Sequence, residues 1–218
     1  MKFINYYAII RVLGSLLLIE AFFLALSAGV SLLYSAEAFP SFLLAIACAA
    51  VPGAAALIIT RNKQKGIHKR EGFIIVSITW VLFSFIGSIP FYSSSSIPDY
   101  TNAFFEAISG FTTTGSSVLN NIEELPQGIL FWRSIIQWMG GMGIIVLSLA
   151  IMPILGIGGM QLFVAESPGP TTDKLHPRIT EAAKRLWAIY FFFTLSETIL
   201  LRLGGMTWFD AINHAFTT

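Results

Sequence analysis

The sequence predicts an all-α integral membrane protein, in which spanning helices alternate with short re-entrant helices and loops. Apolar side chains make up 55% of the 218 residues and charged side chains only 11%, and the mean hydropathy is +0.74. A water-soluble domain cannot bury so much apolar surface. Long apolar stretches and an internal repeat indicate that the chain is built from helix–re-entrant loop–helix units.

The spanning helices follow from the thickness of the bilayer. A hydrocarbon core of about 30 Å requires roughly 20 mainly apolar residues in a helix. Two shorter segments, Pro98 to Phe111 and Thr207 to Phe216, would span only about 15–20 Å and are predicted to enter the membrane without crossing it. The stretches long enough to cross are 3–34, 39–60, 72–92, 128–155 and 182–203.

The basic residues predict the orientation of these helices. Five crossings place successive hydrophilic segments on alternate sides, and only Arg133 and Arg202 of the 13 Lys and Arg residues lie towards one of them. By the positive-inside rule the other side, which includes the amino terminus, faces the cytoplasm. The basic residues on that side are Lys2, Arg11, Arg61, Lys63, Lys65, Lys69, Arg70, Lys174, Arg178, Lys184 and Arg185.

Charge and motif content exclude several classes of function. The formal net charge is +1, and no basic face indicates a nucleic-acid partner. Cys48 is the only cysteine, and the three histidines are far apart in sequence. No HExxH, CxxC or GxSxG pattern is present. The sequence therefore gives no indication of an enzyme, a metal-ligand cluster or a bound cofactor.

One internal repeat connects the two short segments. The letters FEAISGFTT at 105–113 are echoed by FDAINHAFTT at 209–218, which has one extra residue. This alignment pairs Glu106 with Asp210. Each copy follows a spanning helix and begins on the outer side, so the repeat is parallel rather than inverted. Channels and pores are built from such units.

The first copy has the features of a re-entrant pore loop. Pro98 suits the first turn of a helix, Asp99 complements its positive end, and no helix breaker lies within the segment before Gly110. The polar letters TTTGSS at 112–117 follow, where unpaired carbonyls would cost several kcal/mol each in lipid unless an ion or water binds them. We place an ion filter at Thr113 to Ser116. The alternative is a plain polar turn between two helices.

Four further residues have two interpretations each. Arg133 either pairs with Glu106 to support the filter or extends towards the interface. Glu20 and Glu197 lie inside predicted spans and are functional candidates, with pairing between helices as the milder interpretation. Gly140 lies in mid-helix, where a small residue lets helices approach closely or provides a hinge.

A secondary transporter for another small solute or cation is the main alternative function. In that case the threonine-rich loop would belong to a broken-helix binding site. Inverted repeats would favour this alternative, whereas the repeat here is parallel. A purely structural membrane anchor would leave the polar loop within the membrane without a purpose.

Three segments resemble the TrkH-like membrane subunits of the Trk/Ktr/HKT potassium uptake superfamily. They are SGFTTTGSSV at 109–118, FWRSIIQWMGGMGIIVL at 131–147 and FDAINHAFTT at 209–218. The similarity covers most of the chain from Glu71 onward, and the WR-x3-QW-x-GGMGI element from Trp132 to Ile144 is its most specific part. The resemblance implies a pore of four helix–loop–helix units, as in potassium channels, with one complete and one partial unit in this chain after two leading helices.

The resemblance also implies potassium uptake across the inner membrane, with K+ as the transported ion. Backbone carbonyls of Thr113, Thr114 and Gly115 would bind K+, and Gly115 would be the central glycine of the filter. Residues that would support the pore are Glu106, Arg133, Thr217 and Thr218. The whole filter would consist of Thr112, Thr113, Thr114, Gly115 and Ser116.

The partners implied by the resemblance are the lipid bilayer, a second copy in a homodimer and a cytosolic nucleotide-binding regulatory subunit. Gln161–Arg185 would help to contact that subunit, although Ser167–Thr171 by itself is a turn-rich linker. The sequence leaves open whether the flux is passive or a symport with protons. We expect the chain to divide into 1–70, 71–160, 161–181 and 182–218.

Overall fold

The computed structural model describes residues 4–63, 69–155 and 175–218, and all regular structure in those residues is helical. It contains two compact units, one formed by residues up to Gly140 and one by Gly141 to Phe216. The prediction of an all-α membrane protein is confirmed, because the described residues include four helices long and apolar enough to cross a membrane. These helices are Tyr6–Tyr34, Phe39–Ile59, Arg70–Ser93 and Ala183–Leu203.

The first unit begins with two long helices, α1 (Tyr6–Tyr34) and α2 (Phe39–Ile59), that pack as an antiparallel pair. Asn5 caps α1, because its side chain accepts a hydrogen bond from a backbone N–H of the first turn. Gly14 lies so close to α2 that a Cβ atom placed on it would be 3.0 Å from the carbonyl oxygen of Gly53. Small residues therefore let these two helices touch.

Polar contacts join the first three helices at one end of the unit. Arg11 Nη1 donates a hydrogen bond of 3.2 Å to the carbonyl oxygen of Thr60 at the end of α2. The backbone N–H of Asn5 donates to the carboxylate of Glu71, also at 3.2 Å. These contacts place the start of the first helix, the end of the second and the start of the third together, as expected for consecutive antiparallel spans.

The third predicted span is divided into two helices. The sequence predicts one helix over 72–92, whereas the structure has helix α3 (Lys69–Gly87) followed by the short helix α4 (Ile89–Ser93). The break is at Ser88, two residues before Pro90, which has no N–H to donate to the preceding turn and whose ring crowds that turn.

Helix α5 (Tyr100–Phe111) is the first of the two short helices predicted from the sequence. Asp99 is its N-cap and accepts the backbone N–H of the third residue after it at 2.9 Å, so Pro98 lies outside the helix. The helix ends at Phe111, as the predicted segment Pro98 to Phe111 does. Gly110 packs closely on the neighbouring helix, where a Cβ would be 2.6 Å from Ile136 Cδ1.

Helix α6 (Gln127–Leu155) corresponds to the predicted span 128–155. In the first unit it packs against α1, where the rings of Phe23 and Trp138 are 6.3 Å apart. Gly128 lies against Ser31, since a Cβ on this glycine would be 2.5 Å from Ser31 Cβ.

The second unit contains helix α7 (Leu175–Leu203) and the second short helix, α8 (Trp208–Thr217). Gly205 between them has a φ of +101°, a conformation that glycine adopts at little cost. Thr207 is the N-cap of α8. Its hydroxyl accepts the backbone N–H of Asp210 at 3.1 Å and donates to the Asp210 carboxylate at 2.7 Å.

The caps of the short helices set a register that differs by one helical turn from the predicted one. Asp99 and Thr207 are both N-caps, and Glu106 and His214 both lie seven residues after their caps. Glu106 therefore corresponds to His214. Asp210 lies in the first turn of its helix, where its carboxylate accepts a hydrogen bond from the N-cap Thr207, so it resembles Glu106 in sequence and not in position.

Two predictions fall mainly outside the described residues. Residues 161–174 of the segment Gln161–Arg185 are not among them, and neither is the linker Ser167–Thr171. The predicted division of the chain at 70, 160 and 181 stays a prediction.

Candidate functional site

Helix α5 is closed by backbone hydrogen bonds at the point where the predicted filter begins. The N–H of Thr113 donates to Gly110 O and the N–H of Thr114 donates to Ser109 O, each at 2.9 Å. These two bonds form a Schellman cap, in which glycine is the usual residue at the left-handed position. Thr113 occupies that position with a φ of +55°. The start of the loop is thus anchored to α5 through its N–H groups.

The hydroxyl groups of this segment bond to each other and to the helix. Thr112 Oγ1 donates to Ile108 O at 2.7 Å and lies 2.8 Å from Thr114 Oγ1. In contrast, the carbonyl oxygens from Thr112 to Gly115 accept no hydrogen bond within the described part of the chain. Exposed carbonyls without a hydrogen-bond donor are the groups with which re-entrant loops coordinate cations.

Gly115 has a left-handed backbone with a φ of +74°. A Cβ atom placed on it would meet nothing within 4 Å, so the need for glycine here is conformational and not steric. Thr113 is also left-handed, and left-handed residues at alternate positions allow successive carbonyls to face the same side. Gly115, the predicted central glycine of the filter, thus has a conformation that glycine adopts more readily than other residues.

Glu106 anchors the other end of the loop. Its carboxylate accepts hydrogen bonds from Ser117 Oγ and from the backbone N–H of Val118, each at 3.0 Å. Arg133 Nε, on helix α6, donates to the same carboxylate at 2.7 Å. The side chains of Glu106 and Arg133 are only 2% and 14% exposed. The predicted pairing of Glu106 with Arg133 is therefore present, with further donors that compensate for burial.

Ser109 makes a third contact between helix and loop. Its hydroxyl donates a hydrogen bond of 2.6 Å to the carbonyl oxygen of Ser116, and Ser109 is 4% exposed. The carbonyl of Ser116 therefore differs from those of the four preceding residues, because it already has a donor.

Aromatic and glycine contacts hold helix α5 in place. The indole N–H of the fully buried Trp132 donates to Gly87 O at 2.8 Å, which joins α6 to the end of α3. The ring of Phe111 lies 6.4 Å from that of Trp132 and 5.5 Å from that of Phe83. Gly140 faces the last carbonyl of α5, since a Cβ there would be only 2.1 Å from Phe111 O. Gly140 thus serves close packing, as one of its two predicted interpretations requires.

Thr217 and Thr218 occupy a different kind of position from the threonines of the loop. Thr217 is the last residue of helix α8, and Thr218 is its C-cap. In the register set by the caps they correspond to Ser109 and Gly110. Their support of a pore stays a prediction.

The two acidic residues predicted within spans have different environments. Glu20 is fully buried in α1, and its carboxylate oxygens accept no hydrogen bond from any described residue. Glu197 is half-buried in α7. A pairing of Glu20 with another helix is therefore not seen in the described part of the chain.

Two serines of this site were not identified from the sequence. The sequence predicts only a helical position for Ser109 and places Ser117 outside the filter. A signal was available, because Glu106 and Ser109 are three residues apart and therefore share one face of a mostly apolar short helix. Two polar side chains on one face of a mostly apolar helix predict that a polar segment packs against that face.

Comparison with known proteins gives consistent matches. The family described as "TrkH: Cation transport protein" matches residues 38–218. The chain is 43% identical over 216 residues to "Trk system potassium uptake protein TrkH" of Salmonella typhimurium, covering 98% of this chain and 45% of that protein. It is 44% identical over 214 residues to the protein of the same description from Vibrio parahaemolyticus, covering 97% and 44%.

A solved structure is also similar. The crystal structure of the potassium transporter TrkH from Vibrio parahaemolyticus matches with a TM-score of 0.82 at 40% identity, covering 98% of this chain and 42% of that one. The chain spans less than half the length of these relatives.

Proposed function

This chain belongs to the TrkH family of cation transport proteins, and we propose that it forms part of a pore subunit that takes up potassium across the cytoplasmic membrane. It would supply one complete helix–re-entrant loop–helix unit and the beginning of a second. The loop from Thr112 to Gly115, with its unbonded carbonyls at the end of a short helix, supports this function most directly.

The carbonyl oxygens of the loop would replace the hydration shell of the potassium ion. The carbonyls of Thr113, Thr114 and Gly115 offer partial negative charge without a formal charge, which suits a large monovalent ion that has to leave again. The carboxyl end of α5 adds about half a negative charge, because its peptide dipoles point the same way. Corresponding loops from the other units of a full-length subunit would complete the coordination.

Glu106 and Arg133 would hold the filter in place rather than touch the ion. Each neutralises the other, and the carboxylate already accepts hydrogen bonds from Ser117 and Val118. A pair without net charge leaves ion selection to the carbonyls. In this proposal the pair, together with Ser109, fixes the outgoing end of the loop to the helices.

The proposal also specifies what would surround the pore subunit. Exposed apolar side chains on the long helices would face lipid, and the basic end formed around Arg11, Arg61 and Lys63 would face the cytoplasm. A homodimer and a cytosolic nucleotide-binding regulatory subunit would complete the assembly.

The test is rubidium uptake by the full-length pore subunit in cells without potassium uptake of their own. We expect uptake by the unchanged protein and a loss of about tenfold in Gly115→Ser, because a left-handed conformation costs an L-residue roughly 1–2 kcal/mol. Gly72→Ser is the matched control, since Gly72 lies in helix α3 and a Cβ there also meets nothing within 4 Å.

Each result has a distinct meaning. Equal uptake by Gly115→Ser and Gly72→Ser would show that the ion path lies elsewhere. No uptake by the unchanged protein, with its regulatory subunit supplied, would favour the transporter for another solute.

A further inference from the structure

The hydrogen bond between Ser109 and Ser116 divides the carbonyls of the loop into two groups. The carbonyls from Thr112 to Gly115 accept no hydrogen bond among the described residues, whereas that of Ser116 accepts one of 2.6 Å. Its donor is on helix α5, behind the loop. A carbonyl that points at this helix cannot at the same time point away from it.

The loop is anchored on both sides of Gly115. Before it, the N–H groups of Thr113 and Thr114 donate to the end of α5, so the carbonyls of the same trans peptide groups, those of Thr112 and Thr113, point away from that helix end. After it, the Ser116 carbonyl accepts from Ser109, and Glu106 accepts from Ser117 and Val118. Before Gly115 the loop is held through backbone N–H groups. After Gly115 the contacts that hold it include the carbonyl of Ser116.

We propose that Ser109 is a positioning residue that ends the filter at Gly115, by holding the Ser116 carbonyl against helix α5 and away from the ion. This inference rests on the proposed potassium pathway and deepens it. It replaces the predicted filter end at Ser116 with an end one residue earlier. The number of coordinating carbonyls is one property from which ion selectivity can arise, so Ser109 would act on selectivity more than on the amount of folded protein.

Removing the hydroxyl would free the Ser116 peptide to rotate. A hydrogen bond of this type changes an equilibrium by roughly twofold to tenfold. We therefore expect Ser109→Ala to lower the ratio of rubidium to sodium uptake by about fivefold. Ser109→Thr, which keeps a hydroxyl, should retain the ratio of the unchanged protein.

The experiment measures initial uptake of radioactive rubidium and sodium in membrane vesicles that contain the full-length subunit. Ser134→Ala is the matched control, because Ser134 is 2% exposed and, among the described residues, its hydroxyl bonds only to Leu130 O of its own helix, at 3.1 Å. The amount of folded subunit in each vesicle preparation normalises the rates. If Ser109→Ala does not fold, Ser109→Val and Ser109→Thr form an isosteric pair that differs only in the hydroxyl.

The outcomes separate this inference from the proposed function. A lower ratio in Ser109→Ala or Ser109→Val, with unchanged ratios in Ser109→Thr and Ser134→Ala, supports the assignment. A ratio in Ser109→Ala equal to that of the unchanged protein, while rubidium uptake still depends on Gly115, overturns the role of Ser109 alone. No rubidium uptake by the unchanged subunit overturns the proposed function, and this inference with it.

Discussion

Replacing Gly140 with alanine adds one methyl group where helix α6 meets the last carbonyl of helix α5. The new Cβ would stand 2.1 Å from the carbonyl oxygen of Phe111, 2.8 Å from its carbonyl carbon and 3.1 Å from its Cα. All three are backbone atoms, so no side-chain rotation can relieve the overlap. The two helices would have to separate by about 1 Å to restore a normal contact.

The expected change in the free energy of unfolding is the sum of two opposing contributions. Overpacking a closely packed site costs about 1–3 kcal/mol, and a clash with backbone belongs at the upper end of that range. Alanine returns about 1 kcal/mol, because it is a better helix former than glycine. We expect a net loss of about 2 kcal/mol in the free energy of unfolding. Rubidium uptake should also fall, because the loop after α5 moves with the helix.

Thermal unfolding of the purified full-length subunit in detergent measures the stability, and uptake in cells measures the function. Gly29→Ala is the matched control, since Gly29 lies in helix α1 and a Cβ there meets nothing within 4 Å. This control should be as stable as the unchanged protein or slightly more so. If Gly140→Ala behaves like Gly29→Ala in both measurements, the close approach of the two helices is not a requirement of the fold.

Further substitutions test the contacts that hold the loop and its helix. Glu106→Gln keeps the shape of the side chain but leaves Arg133 without its charged partner, so we expect a loss of about 3 kcal/mol in unfolding free energy and reduced uptake. A double-mutant cycle with Arg133→Gln should give a coupling above about 1 kcal/mol, and a coupling near zero would contradict the pairing. Trp132→Phe removes the only indole N–H donor to Gly87 O seen in the described residues and should cost about 2 kcal/mol. An unchanged unfolding temperature in Trp132→Phe would show that this carbonyl finds another donor.

Much of the architecture could be predicted because it depends on local properties of the chain. Apolar stretches of sufficient length predict the spans, and Pro98 with Asp99 predicts a short helix that begins close to its observed start. The single break in the third span also has a local cause, since Pro90 was visible in the sequence. The sequence analysis predicts one continuous helix because hydropathy alone does not distinguish one helix from two consecutive ones.

In the repeat, sequence similarity gives a different alignment of the two short helices from the one that their N-caps give. Phe-acid-Ala-Ile occurs in both copies, yet Asp210 lies in the first turn of its helix whereas Glu106 lies near the middle of the other. The position of a residue within a short helix decides which groups it can reach. An alignment that pairs the N-caps, Asp99 with Thr207, preserves the position of each residue in its helix. An alignment by sequence similarity does not.

The sequence by itself determined the membrane-spanning character, the short helix and the glycine-containing polar loop, because hydrophobic length and backbone preference are properties of neighbouring residues. Only the tertiary structure decided which loop carbonyls have donors and what Glu106 binds. Ser109 and Ser116 are seven residues apart, Glu106 and Arg133 are 27 apart, and Trp132 and Gly87 are 45 apart. The last two contacts form only when separate helices pack together, and the first forms only when the loop folds back on its own helix. No local pattern in the sequence specifies these distances.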